Sequence, residues 1–95
     1  MTDAGKLALL KQDLQLLTTA NDTFLTALIH AAENAMESEG IILSPSTDLI
    51  DTAVVEYAAY LFRRRASENT AMPRFLRYQL NQILFSQKVS VGGEA

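Results

Sequence analysis

Few side chains in this chain are suited to acid–base or metal chemistry. His30 is the only histidine, and it shares the polar face of a predicted helix with Glu33 and Glu37. One imidazole with two flexible carboxylates is a thin ligand set for a metal ion, so the spacing favours a solvated surface histidine. Asp48 and Asp51 stand three residues apart at a predicted helix start, where carboxylates ordinarily face the positive end of the helix dipole.

The sequence lacks the residues that several other kinds of active site need. There is no cysteine, which excludes a thiolate nucleophile, a thiolate zinc site and a disulfide. The four glycines do not form a phosphate-binding loop, and the serines fall in turns and helix caps without a partner base. We therefore expect no enzymatic activity, no cofactor and no metal ion.

Arginines form the most conspicuous charged feature of the chain. Arg63, Arg64 and Arg65 are consecutive near a predicted helix end, where they also stabilise the negative end of the helix dipole. Because neighbouring residues point about 100° apart around a helix, only part of this cluster can face one partner. The segment from Arg74 to Tyr78 then interleaves basic and aromatic side chains, a composition that suits nucleic acid as well as protein.

Charge is unevenly distributed along the 95 residues, whose formal net charge is −3. Residues 1–47 contain six acidic residues and two lysines, whereas residues 57–88 contain one acidic residue, five arginines and one lysine. Two interpretations stay open: ordinary solvated faces, or a head-to-tail charge match between copies of the chain. The negative net charge argues against generic binding to nucleic acid.

The elements that position these residues are amphipathic helices. Apolar residues at helical spacing predict four of them, over residues 4–17, 22–39, 49–65 and 73–87. The connections are short, with an extended loop near residues 41–46 and a mobile tail at about 89–95. Residues 1–95 are thus predicted to form one all-α, four-helix domain, because a chain of this length builds a single modest core. We predict no signal peptide and no membrane-spanning segment.

Helix caps are predicted from the polar residues that precede the second and third helices. Thr19 or Asn21 is expected to accept the first free amides of the second helix, and Ser46 or Thr47 those of the third. Proline at position 45 excludes a helix in the turn between them. These residues fix where the predicted helices begin.

The third predicted helix is apolar on two faces. Its wider stripe, from Leu49 to Leu61, is typical of a helix packed inside its own domain. A narrower stripe runs through Val55, Ala58, Ala59 and Phe62. Its Val55, Ala59 and Phe62 are expected to remain exposed after that packing, so we predict that they form an inter-subunit surface. Phe62→Asp should then block assembly and leave a folded monomer. The predicted interface comprises Val55, Ala59, Phe62, Arg63, Arg64, Arg65, Arg74, Arg77 and Tyr78.

With these segments placed, the chain resembles the small head–tail connector (adaptor) proteins of tailed bacteriophages and prophages. The resemblance covers roughly residues 6–88 and rests on helical patterns, not on fixed catalytic residues. The segments that carry it are Leu7–Lys11 with Thr19–Asp22, then Phe24–Glu33, Asp51–Arg64 and Met72–Asn81.

The resemblance implies a structural protein of the virion. Proteins of this family form a closed ring of about a dozen copies beneath the portal, and such a ring requires unlike faces to meet. The implied partners are other copies of the chain, the portal protein and downstream head-completion or tail proteins. Genomic DNA passes through the ring without sequence-specific binding, and no membrane is involved. The implied location is the virion neck, with the host cytoplasm during assembly.

Two other functions stay open from the residues alone. The first is a small DNA-binding regulator, which would bind through its arginines with an affinity that falls steeply with salt. A helix-turn-helix reader needs a tight turn before an exposed polar recognition helix, and neither helix pair matches that pattern. The second is a helical protein-interaction module of another origin.

Overall fold

α-Helices form the regular structure of this chain. The computed structural model describes the backbone of residues 1–66 and 71–94 and the side chains of residues 1–65 and 71–88. Within these ranges the helices are α1 (Asp3–Leu14), α2 (Asp22–Ser38), α3 (Asp48–Ala66) and α4 (Arg74–Glu94). The predicted all-α, four-helix domain is therefore confirmed, while most of the connection between α3 and α4 lies outside the described residues.

α3 is the central helix, because α1, α2 and α4 all pack against it. Its Ala53, Val54 and Ala58 are fully enclosed, and the two alanines allow neighbouring helices to approach closely. The buried apolar faces of α2 and α4 pack against this helix. Apolar residues of the other helices complete the core: Leu10, Leu25, Ile29, Ala32, Met36, Leu76, Leu80 and Ile83.

α1 ends three residues earlier than its apolar spacing predicts. Gln15 adopts a left-handed backbone conformation with a φ of 58°, and the Leu16 N–H donates to the Lys11 carbonyl at 2.9 Å. This is the hydrogen-bond pattern of a Schellman turn, formed here without the glycine that usually marks it. Leu17 consequently lies beyond α1 and is 95% exposed, so the predicted end of the first helix at residue 17 is wrong.

The connection from α2 to α3 is tied to α4. It begins at Gly40, whose φ of 99° favours glycine, and continues through buried Ile41 to exposed Ile42. The Gln87 side-chain amide accepts a hydrogen bond from the Ile42 N–H at 2.8 Å and donates one to the Ile42 carbonyl at 2.7 Å. The loop predicted near residues 41–46 therefore lies outside the helices, and a side chain of α4 holds it at Ile42.

Two helix ends refine the predicted boundaries. Thr47 caps α3, because its hydroxyl accepts the Ile50 N–H at 3.2 Å, whereas the Asn21 side chain makes no capping bond to α2. The helical backbone of α4 continues past its predicted end near Gln87 to Glu94. The glycines before Glu94 lower helix propensity by about 1 kcal/mol each but still form backbone hydrogen bonds. Much of the predicted mobile tail is thus helical, and residue 95 lies outside the described residues.

Candidate functional site

A groove runs between α1 and α3 and ends against the start of α4. Three adjoining concavities share Asp13 in their lining, and the buried apolar side chains that line them are Val55, Ala59 and Leu76. At the α4 end the groove deepens into a cleft of about 260 Å³. We call this surface the α1–α3 groove. Its principal lining residues are Leu9, Gln12, Asp13, Thr52, Val55, Glu56, Ala59, Tyr60, Arg63 and Phe75.

Carboxylates give the groove its electrostatic character. An Arg63 guanidinium nitrogen donates to Asp13 at 3.1 Å, which joins α3 to α1. Glu56 is half-buried, and among the described residues it has no ion-pair partner. Burial, reinforced by the nearby Asp13 carboxylate, raises the pKa of Glu56 above its ordinary value. The groove is therefore suited to a partner that brings a positive charge.

Val55 and Ala59, two of the predicted interface residues, are buried within the chain. They are only 6% and 1% exposed, because α1 and the start of α4 pack over this face of α3. The expectation that packing inside the domain leaves this stripe exposed is therefore wrong. The accessible feature at this place is the groove above the two side chains, and its role as an interface stays a prediction.

Phe62 packs between α3 and α2. Its ring centroid lies 6.4 Å from that of Phe24. The Arg65 guanidinium lies over both rings, 5.2 Å from the Phe62 centroid and 4.7 Å from the Phe24 centroid. Such a cation–π contact holds the arginine over the pair. Phe62→Asp would therefore disturb packing inside the domain, so this variant does not isolate an effect on assembly.

Two of the other predicted arginines form ion pairs within the chain. Arg63 pairs with Asp13, and Arg77 pairs with Glu39 at the end of α2. Both pairs join an acidic residue of the first half of the chain to a basic residue of the second half. The uneven distribution of charge is thus used in part within one molecule. Arg64 and Arg74 are exposed.

Aromatic side chains form an exposed stripe on α4. Phe75, Tyr78 and Phe85 are 68%, 62% and 68% exposed. With Gln82 they repeat at intervals of three, four and three residues, which places them on one helix face, away from the buried arc. The Gln82 amide donates to the Tyr78 hydroxyl at 2.8 Å. We call these four residues the α4 stripe.

The α4 stripe was only partly predicted from the sequence. Tyr78 is among the predicted interface residues, whereas Phe75 and Phe85 are not. The helical spacing of these three aromatic residues is the feature of the sequence that could have predicted them. Arg74 and Lys88 flank the stripe, and between them α4 contains no acidic residue. Contiguous exposed apolar surface of this kind usually marks contact with a partner.

A separate polar cluster joins α1 to α2. Asp3, His30 and Glu33 offer ligand atoms within 4.8 Å of one another, and His30 Nε2 lies 3.0 Å from a carboxylate oxygen of Asp3. Lys6, which is buried, donates to Glu33. Because this ammonium already neutralises Glu33 and would repel a second cation, the arrangement is that of an ion-pair network between two helices.

Comparison with known proteins places no further restriction on the function. No family model matches this chain, and no match was found among curated proteins or solved structures. None of the helices in the described ranges has the combination of length and apolarity needed to cross a bilayer. The α1–α3 groove and the α4 stripe are therefore the features of this chain from which a function can be inferred.

Proposed function

We propose that this chain is a structural assembly protein, a head–tail connector of a tailed bacteriophage or prophage. The observation that carries the proposal is the α4 stripe, in which three large aromatic side chains are more than half exposed on a domain of 95 residues. Such a surface is stabilised when a partner covers it. The resemblance of the sequence to connector proteins supplies the partners: further copies of the chain and a portal protein.

Two unlike surfaces on one small domain support an assembly role. The α1–α3 groove contains the carboxylates of Asp13 and Glu56, whereas the α4 stripe is aromatic and flanked by Arg74 and Lys88. A cyclic ring needs unlike faces, because each copy uses one face toward one neighbour and a different face toward the other. In the proposed ring, the copies surround the DNA channel between the portal and the tail proteins.

Incorporation into particles tests this function. The tagged chain is produced together with the portal protein encoded near its gene, and the complex is imaged by electron microscopy. The expected result is a ring of additional density on the portal. In assembled virions, the chain is expected to be detected in the neck. Failure to bind that portal, or a gene neighbourhood that has no portal, capsid or tail genes, would contradict the proposal.

A DNA-binding regulator is the second candidate, because exposed aromatic side chains beside Arg74 and Lys88 also suit stacking against bases. Against it, Arg63 and Arg77 are engaged in ion pairs within the chain. The test is the affinity for duplex and single-stranded DNA at several salt concentrations. Binding that weakens steeply with salt would favour this candidate, and no binding at low salt would exclude it.

A further inference from the structure

We propose that the α1–α3 groove of one copy receives the α4 stripe of the next copy. The inference rests on the proposed function, because it assigns the two faces that meet between neighbouring copies in the ring. The occupant of the groove is thus a second copy of this chain, which presents an aromatic, positively charged helix face.

The two surfaces match in length and in apolar character. At 1.5 Å per helical residue, the α4 stripe from Phe75 to Phe85 is about 15 Å long, and the groove along α3 from Thr52 to Arg63 is about 16 Å long. The groove has buried Val55 and Ala59 at its base, so aromatic rings laid along it would contact apolar atoms. Phe75 also lines the α4 end of the groove in its own copy, so a neighbour's stripe would lie along α3 and meet the Phe75 of the receiving copy at that end.

The charges of the two surfaces also match. Glu56 is half-buried in the groove beside Asp13, and no cation of the described residues pairs with it. Arg74 and Lys88 lie at the two ends of the stripe and are exposed. A cation from a neighbouring copy would neutralise the Glu56 carboxylate in a partly desolvated position, where such a contact is stronger than at an open surface.

A competing surface on the same molecule lacks this match. The outer side of α1 carries a shallow apolar depression around Ala8 and Leu16. Its only charged lining residue is Lys11, which is already paired with Asp22. The flanking cations of the α4 stripe would meet no carboxylate in that lining, so charge favours the α1–α3 groove as the receiving surface.

The area of the contact predicts weak association between free copies. Since an aromatic side chain presents about 150–250 Å² for burial, covering the exposed parts of three removes about 400 Å² on the side of the stripe. With the groove side included, the total is about 800 Å², below the roughly 1,200–2,000 Å² of stable binary complexes. Copies should therefore associate firmly only where many contacts form together, as in a ring held on a portal.

Disulfide crosslinking tests the pairing, and the absence of native cysteine makes the test specific. The variant Thr52→Cys/Gln82→Cys places one thiol on the groove wall and one in the stripe, both at exposed positions. On mild oxidation of the full chain at high concentration, we expect a ladder of linked dimers, trimers and larger species that collapses on reduction. A ladder is expected because two unlike faces meet at each contact, so every linked species still has a free groove at one end and a free stripe at the other.

A matched variant controls for random collision. Ala8→Cys/Gln82→Cys places the first thiol on the outer depression of α1 instead, and it should give no ladder. In the Thr52→Cys/Gln82→Cys background, Glu56→Arg should lower the crosslinking yield by more than about tenfold. The new arginine would repel the cations that flank the neighbour's stripe. Glu37→Arg, an exposed acidic position on α2, should leave the yield unchanged.

The outcomes separate this inference from the proposed function. No ladder from the groove variant, or an equal ladder from the α1 control, overturns the pairing, while incorporation into virions would still uphold the connector function. A groove-specific ladder without incorporation into virions supports the pairing and contradicts the connector function. Circular dichroism of each variant verifies that the helical fold is retained.

Discussion

Glu56 lies half-buried in the α1–α3 groove, where its ionised form is disfavoured. Burial, together with the Asp13 carboxylate, raises its pKa above the ordinary value of 4.5. The folded chain therefore holds this proton more tightly than the unfolded chain does. As the pH rises above that ordinary value, ionisation of Glu56 lowers the free energy of unfolding until the group is fully charged in both states.

Glu56→Gln should consequently stabilise the monomer at neutral pH. The melting temperature of the variant is expected to exceed that of the natural chain at pH 7, because the amide removes a disfavoured charge. Below about pH 4 the difference should disappear, since Glu56 is then protonated in both states. Thermal denaturation followed by circular dichroism measures both values. Glu37→Gln, at an exposed position, is the control, and an equal gain at both pH values would contradict this explanation.

Individual site residues were harder to predict than the helices that carry them. The spacing of Val55, Ala59 and Phe62 correctly shows a second apolar face on α3, but it does not show which neighbour covers that face. α1 and the start of α4 cover it, so the accessible feature at this place is the groove, and its role as an interface stays a prediction. The sequence pattern does not indicate that Glu56 is half-buried, because a lone carboxylate between apolar positions is typical of an ordinary solvated residue.

At the scale of elements, apolar spacing predicted the helices well and their ends less well. The second predicted helix exists as α2, and its Leu25, Ile29 and Met36 are fully buried. The end of α1 depends on the left-handed backbone of Gln15, a residue type that carries no clear stop signal. The helical backbone of α4 continues through residues with weak helix propensity, so propensity alone placed its end too early.

Leu25→Ala should destabilise the domain because it leaves a cavity where α2 meets α3. Leu25 is fully buried, and truncation of such a leucine costs about 2–5 kcal/mol. Leu17→Ala is the matched control, since Leu17 is 95% exposed and its truncation should change the free energy of unfolding by less than about 0.5 kcal/mol. Urea denaturation measures both. Similar losses for the two variants would contradict the assigned ends of α1 and the position of the core.

At the scale of the whole molecule, the uneven charge of the chain has two uses. The pairs Asp13–Arg63 and Glu39–Arg77 join its acidic first half to its basic second half, so part of the charge difference stabilises the monomer. Glu56 and the cations beside the α4 stripe remain for contacts with a neighbour under the proposed pairing. The sequence showed that charge was separated, but only the packing of the helices showed which charges pair within the chain.

Removing the exposed aromatic rings should separate folding from assembly. Tyr78→Ser/Phe85→Ser changes two exposed residues of the α4 stripe, so circular dichroism and melting temperature should change little. Binding to the portal, measured by co-sedimentation, should be lost or strongly reduced, because copies that cannot pair with their neighbours lose the combined contacts that hold the ring on the portal. Leu17→Ser, which replaces an exposed apolar residue outside both surfaces, should bind as the natural chain does. Full binding by the double variant would contradict a role for the stripe.

The Gln87 amide occupies the backbone N–H and carbonyl of Ile42 in the way that a neighbouring strand would. The Ile42 side chain is itself 56% exposed, so these two hydrogen bonds, and not burial of that side chain, hold this point of the connection against α4. The connection between α2 and α3 should therefore open locally when they are removed. In Gln87→Ala the Ile42 amide should exchange its hydrogen with solvent faster than in Gln82→Ala, and equal exchange rates would show that the bonds do not hold the connection.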